Sequence, residues 1–274
     1  MRLLYLSPFP AYPLYGGAVV RNHHLGQALL KRHQVWASFC GADGTSPWSG
    51  EVPLSGTGRR ALFDPPFLRR AASLIRREKI EAVVASSLIA GLHGALLARW
   101  SRLPFWMDEH NVEWHCGRRY GFWGWPLVYA LEGFILKNAD WVTCVSPEDQ
   151  ERLVRGFRLA SEKVRVAPNG VDFPALRASS QETPPPYSES GRRTVLFFGV
   201  LNYPPNREAV RILSEEIAPA APDDLDFVVA GTGGEELAAL YQKLRFEGFV
   251  EDINRLVRRS DGVLVPIRAG GGTR

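Results

Sequence analysis

The chain has 274 residues, 45% of them apolar, more than one domain usually needs and enough for two cores. Cys40, Cys116 and Cys144 form no C-x-x-C pair, which excludes the common zinc spacings, argues against a disulfide framework and fits a reducing compartment. The net charge of +4 is unevenly shared, with 21 Lys+Arg against 14 Asp+Glu up to residue 171 and 12 against 15 beyond it, so the first half is the basic one.

Met1-Arg2-Leu3-Leu4-Tyr5-Leu6 reads as a first β-strand, because Pro8 and Pro10 arrive too early for a signal-peptide core. Buried strands are then predicted at Val35–Phe39, Ala82–Ala85, Pro104–Met107 and Trp141–Val145. Helical patterns fill the gaps at Ala18–Arg32, Pro66–Lys79, Leu88–Arg102, Pro126–Asn138 and Pro147–Phe157. Strand and helix alternate, which predicts a parallel sheet with crossover helices, the doubly wound α/β class. No stretch approaches the ~20 apolar residues of a membrane span. The nearest, Phe122 to Val145, is broken by Glu132, Lys137 and Asp140, so a cytoplasmic protein, at most peripheral at the inner face of a membrane, is expected.

The rhythm stops between Ala175 and Arg193, where Pro, Ser and charged residues show no apolar period. It resumes with strand Val195–Phe198, helix Arg207–Ile217, strand Asp226–Ala230, helix Glu235–Leu244, strand Phe246–Val250, helix Ile253–Arg259 and strand Gly262–Pro266. The expected organisation is a first domain at 1–171, a linker or exposed loop at 172–193 and a partial second domain at 194–274. The chain closes on Ala269-Gly270-Gly271-Gly272-Thr273-Arg274, a glycine loop of the kind that leads into an anion-binding helix. That helix is absent from the sequence, so the expectation is a fragment with an incomplete second domain.

The most informative stretch is Met107-Asp108-Glu109-His110-Asn111-Val112-Glu113, where a buried strand runs out into a loop. Ligands of open α/β sheets bind at that carboxyl edge. Asp108, His110 and Glu113 fit a metal site, an acid/base set, or a histidine oriented by a carboxylate; alternation along extended chain puts Asp108 and His110 on one face. A fourth, distant ligand is missing, which makes metal the minor option. A histidine that merely caps the strand end also remains open.

Gly16 and Gly17 open the first helix and permit close approach of a ligand or simply a plain turn. Gly199 ends a strand where nucleotide diphosphates are cradled in such folds, and Asn206 is a good N-cap for the helix that follows. Gly231-Thr232-Gly233-Gly234 falls short of a dinucleotide fingerprint, since Glu236 stands where a third glycine is needed. Arg118, Arg119, Tyr120, Phe122, Trp123 and Trp125 mix cations with aromatics, which suits a membrane interface, an acceptor groove or plain core packing. No strand interleaves aromatic and basic residues, which disfavours nucleic acid.

Taken together, these segments resemble the GT-B glycosyltransferases, specifically family 4. The residues that carry the resemblance are Pro13 to Gly17, Asp108 to Asn111, Ala139 to Ser146, Val166 to Asp172, Phe246 to Asp252 and Pro266 to Arg274. It implies two Rossmann-like domains and transfer of a sugar from a nucleotide-diphosphate sugar to a glycan, lipid-linked or small-molecule acceptor, with retention and without a required metal. His110 is then catalytic, beside the transferred sugar, with Asp108, Glu113, Ser146 and Glu148 on the acceptor side. Gly16, Gly17, Gly199, Arg207, Phe249, Val250, Gly270, Gly271, Gly272 and Thr273 would meet the donor and its phosphates. Tyr203-Pro204-Pro205-Asn206 departs from the family pattern, which places clamping Arg and Lys there and leaves Arg207 as the nearby cation. The paired glutamates of the family would lie past Arg274, so the fragment is expected to be inactive or very weakly active. A non-catalytic nucleotide- or carbohydrate-binding module and a nucleotide-sugar epimerase of the same architecture are the alternatives.

Overall fold

The computed structural model describes residues 1–9, 16–39, 47–54, 61–171, 187 and 191–268. They divide after Asn169 into two compact units.

In the first unit a parallel sheet of seven strands runs in the order β3-β2-β1-β4-β5-β6-β7. The strands are β1 (Arg2–Leu6), β2 (Gln34–Ala37), β3 (Gly50–Glu51), β4 (Ala82–Ser86), β5 (Phe105–Asp108), β6 (Trp141–Cys144) and β7 (Val164–Val166). The crossovers are α1 (Gly17–Leu30), α2 (Pro65–Glu78), α3 (Ser87–Ser101), α4 (Glu113–Arg119), α5 (Trp125–Asn138) and α6 (Pro147–Phe157). The strands read as continuous apolar runs because helices cover both faces of a parallel sheet. Leu4, Leu6, Val83, Ala85, Phe105, Met107 and Val142 pack into one face under α2, α3 and α5. Tyr5, Val35, Ala37 and Val84 belong to the other, with Leu25 and Leu29 of α1 packed against them.

The second unit repeats the plan with a sheet ordered β10-β9-β8-β11, again parallel. Its strands are β8 (Arg193–Phe198), β9 (Leu225–Ala230), β10 (Arg245–Gly248) and β11 (Gly262–Val263), joined through α7 (Pro204–Ile212), α8 (Glu235–Leu240) and α9 (Ile253–Arg259). Phe197, Leu201, Ala209, Val210, Leu213 and Val229 form its core.

The doubly wound architecture agrees with the sequence reading, and the differences are local. Helix α7 begins at Pro204, not at Arg207, because proline lacks the N–H that the first turn cannot satisfy. Asn206 is therefore inside the helix, where its Nδ2 donates to the Val200 carbonyl at 2.9 Å instead of capping. The following Leu213–Ile217 segment is a π-helical turn, and α8 stops at Leu240. Strands β3 and β7 are too short to show a period. Helix α4 falls in a segment read as loop.

The glycine turn after β9 is fixed by sterics. Gly231 has φ 141°, and a Cβ there would lie 1.7 Å from the Gly199 carbonyl oxygen. Substituting Gly231 with Ala should cost about 3 kcal/mol through backbone strain and overlap. A thermal unfolding curve in which Gly231→Ala melts like the parent would contradict that reading.

Candidate functional site

At the carboxyl edge of the first sheet, β5 ends at Asp108, which pairs in register with Thr143 of neighbouring β6. The Asp108 side chain is fully buried, and three partners surround its two oxygens. Arg21 donates through Nε at 2.9 Å to Oδ2 and through Nη2 at 2.7 Å to Oδ1. The Thr143 hydroxyl donates to Oδ1 at 2.6 Å, and His110 Nε2 lies 3.2 Å from Oδ2. A two-pronged guanidinium and a hydroxyl are what a buried carboxylate needs in place of water. Burial opposes the Asp108 charge, but Arg21 and His110 outweigh it and hold the carboxyl well below the usual range.

Arg21 also ties the sheet edge to the end of the unit, donating through Nη1 to the Ala167 carbonyl and to Asn169 Oδ1, both at 2.9 Å. It sits one turn into α1, the helix that Gly16 and Gly17 open. Gly16 has φ 89° and is exposed, and among the described residues no atom would stand within 4 Å of a Cβ added at Gly17. Deeper in the same corner, Tyr5 donates to Asn22 Oδ1, and Asn22 Nδ2 donates to Ser7 Oγ.

His110 follows the strand end. Its ring stacks on Phe9 with centroids 6.5 Å apart and planes 16° from parallel. Its approach to Asp108 is electrostatic, and neither ring nitrogen has a well-directed hydrogen bond among the described residues. Both nitrogens are buried, so the ring holds polar capacity that no described residue uses. Asp108 has none. The structure therefore gives Asp108 the task of holding Arg21 and His110.

The other acceptor-side candidates separate. Ser146 accepts from the Asp149 N–H at 3.1 Å and is the N-cap of α6, while Glu148 is an exposed residue of that helix's first turn. Glu113 starts α4 beside His110, and burial pushes its carboxyl up. What starts α4 is Glu132 on α5. Its Oε1 accepts from the Glu113 N–H at 2.9 Å and its Oε2 from the Trp114 N–H at 3.0 Å, satisfying two orphan donors of the helix. Burial pushes Glu132 up to about 8 despite those bonds. Glu109 is buried with no partner for either oxygen among the described residues; burial and the nearby Glu132 push its carboxyl up.

Sequence reasoning missed Arg21, Thr143, Glu109 and Glu132. Arg21 had a signal, being the single Lys, Arg, Asp or Glu in Gly17–Leu30. Glu132 had one as well, as the lone carboxylate in the apolar Trp125–Asn138 run. Among the described residues, no group of three or more His, Cys, Asp or Glu is placed to hold a metal ion.

In the second unit, the ends of three strands meet. The Gly199 N–H donates to the Ala230 carbonyl at 3.0 Å, the Leu201 N–H to Thr232 at 2.8 Å, and the Gly231 N–H to Gly248 at 2.7 Å. Arg207 pairs with Glu236 at 2.8 Å on the exposed surface. Phe249 is half exposed beyond β10, and Val250 packs on the Leu196–Val228 side of the sheet. Gly270, Gly271, Gly272 and Thr273 lie outside the described residues.

The sequence profile of Glycosyltransferase Family 4 matches residues 15–173, and that of Glycosyl transferases group 1 matches 192–274. Among solved structures, the sucrose-phosphate synthase of Thermosynechococcus elongatus superposes with a TM-score of 0.75 at 17% identity, covering 99% of this chain and 77% of that one. Anabaena HepE in complex with UDP and glucose gives 0.68 at 18%, covering 96% and 73%. The UDP-GlcNAc 2-epimerase of Neisseria meningitidis bound to UDP-GlcNAc gives 0.61 at 11%, covering 96% and 77%. At such identities the likeness is one of fold. No curated protein sequence matches the chain.

Two outcomes are expected. Arg21→Ala leaves a buried carboxylate without its main counter-charge and should cost about 3–5 kcal/mol at neutral pH. Because the folded Asp108 value lies below the unfolded one, this stabilisation is present above the unfolded range, near ~4, and is lost as pH falls. Urea unfolding at neutral and acid pH checks it: the gap between parent and variant narrows in acid. The buried glutamates act oppositely, since their folded values are raised. Stability falls as pH rises from the unfolded range near ~4 through about 8, and Glu109→Gln should make that decline shallower in melting curves across this window.

Proposed function

We propose, since the chain belongs to Glycosyltransferase Family 4, that it moves a glycosyl unit from a nucleotide-diphosphate sugar to a glycan or lipid-linked acceptor, with retention at the anomeric carbon and no metal. The observation that carries this reading is His110. It stands at a strand's carboxyl end, held between Asp108 and Phe9, with Nε2 toward the carboxylate and Nδ1 unpartnered among the described residues.

Breaking the bond between sugar and diphosphate puts growing negative charge on the leaving phosphate, and such charge is best met by donors already in place. The N-terminus of α1 behind Gly16 is one such donor group. Arg207 supplies positive charge once released from Glu236. That pair is exposed and holds by no more than ~1 kcal/mol, so a diphosphate competes with it readily. The nucleotides held by Anabaena HepE support a nucleotide sugar as donor.

Epimerisation of a nucleotide sugar is the second reading, favoured by the likeness to the Neisseria enzyme. The family match over both halves favours transfer instead. Incubation with UDP- and GDP-sugars, with and without acceptor, followed by NMR of the products distinguishes them. Transfer gives nucleoside diphosphate and a product of unchanged anomeric configuration, whereas epimerisation gives a new nucleotide sugar with no acceptor consumed. His110→Ala should lower turnover at least about a hundredfold with an unchanged circular-dichroism spectrum. Turnover equal to the parent would reduce His110 to a strand-end cap.

A further inference from the structure

Helix α5 is apolar on both of its sides, since Ile135 and Leu136 belong to the core of the first unit. Its inner face buries Glu132 beside these two, while its outer face carries Leu127 and Phe134, 75% and 40% exposed, seven residues apart and so two turns along one stripe. The turn that precedes it presents Trp123, 88% exposed. That turn is firmly built, because the Phe122 ring lies against Gly124 so closely that a Cβ there would stand 2.6 Å from it. Trp123 is thereby held outward.

The charges around this surface have one sign within the segment. From Trp114 to Leu131 there is no carboxylate, while Arg118 and Arg119 fall there and Arg118 sits over the Trp125 ring at 5.5 Å. At the far end of α5, Lys137 and Arg158 line a groove of about 480 Å³ together with Phe134. The helix has 14 residues, too few to cross a bilayer, and no helix among the described residues is long and apolar enough to do so. Apolar stripe, aromatic tip and flanking cations are the properties of a helix that lies in the headgroup region.

We infer that Trp123, Leu127 and Phe134, flanked by Arg118, Lys137 and Arg158, dock the first unit on an anionic lipid surface. A second copy of the chain is the poorer occupant, since a two-fold contact through this face would set its cations against their own counterparts. The inference is independent of glycosyl transfer, though it suits a lipid-linked acceptor.

The test is co-sedimentation of the full chain with vesicles of phosphatidylcholine alone or mixed with phosphatidylglycerol. Binding is expected to the mixed vesicles, to weaken with added salt, and to fall about tenfold or more for Trp123→Ser combined with Leu127→Ser. Arg118→Gln with Lys137→Gln should abolish the preference for anionic lipid. Retention of parental binding by both double variants, or a parent chain that stays in the supernatant, would overturn the inference. So would a dimer formed without vesicles and lost in the Trp123/Leu127 variant. His110→Ala should bind vesicles like the parent, so a failure of the transfer reading leaves this result unaffected.

Discussion

The buried Asp108 carboxylate is the constraint on which the site depends. A charge in that position cannot remain without partners, and each of its partners belongs to a different segment: Arg21 from α1, Thr143 from β6, His110 from the loop after β5. Satisfying one carboxylate therefore brings three elements of a parallel sheet to a common point. Arg21 extends the arrangement to Ala167 and Asn169, the last residues of the unit. A hydrophobic core fixes layers and spacings, but this polar knot fixes which atoms face the edge.

A second buried acidic group works next to it by different physics. Glu132 does not meet a cation; it meets the N–H groups of a helix start, and so decides where the loop carrying His110 turns into α4. Glu109, between the two, faces into the protein instead of the site. Three consecutive polar residues, Asp108, Glu109 and His110, thus divide into a clamp, a buried acid and the histidine that the clamp holds.

Much of the fold was legible because parallel strands are short apolar runs and their crossover helices have a clear period. The strands from Leu3 to Trp141 and the helices ending at Lys79, Arg102 and Asn138 emerged within a residue or two. What escaped was non-local. Helix α4 exists through a carboxylate on another helix, and nothing in Glu113–Arg119 announces that. Asp108 and His110 could be placed on one face from strand alternation, yet the face itself was a matter of Arg21, 87 residues away. Asn206 had the chemistry of a cap, but two prolines upstream started the helix before it.

Helix α5 carries its two duties on opposite sides. Its inner face, through Glu132, sets the loop at the site; its outer face meets whatever lies beyond the protein. Selection can act on the two separately. A lineage can exchange Leu127 or Phe134 for other residues, and so change the surface on which the protein works, without disturbing the geometry around His110. The helix is in that sense an adaptor, variable outside and fixed inside, and divergence among relatives should accumulate on one side of it.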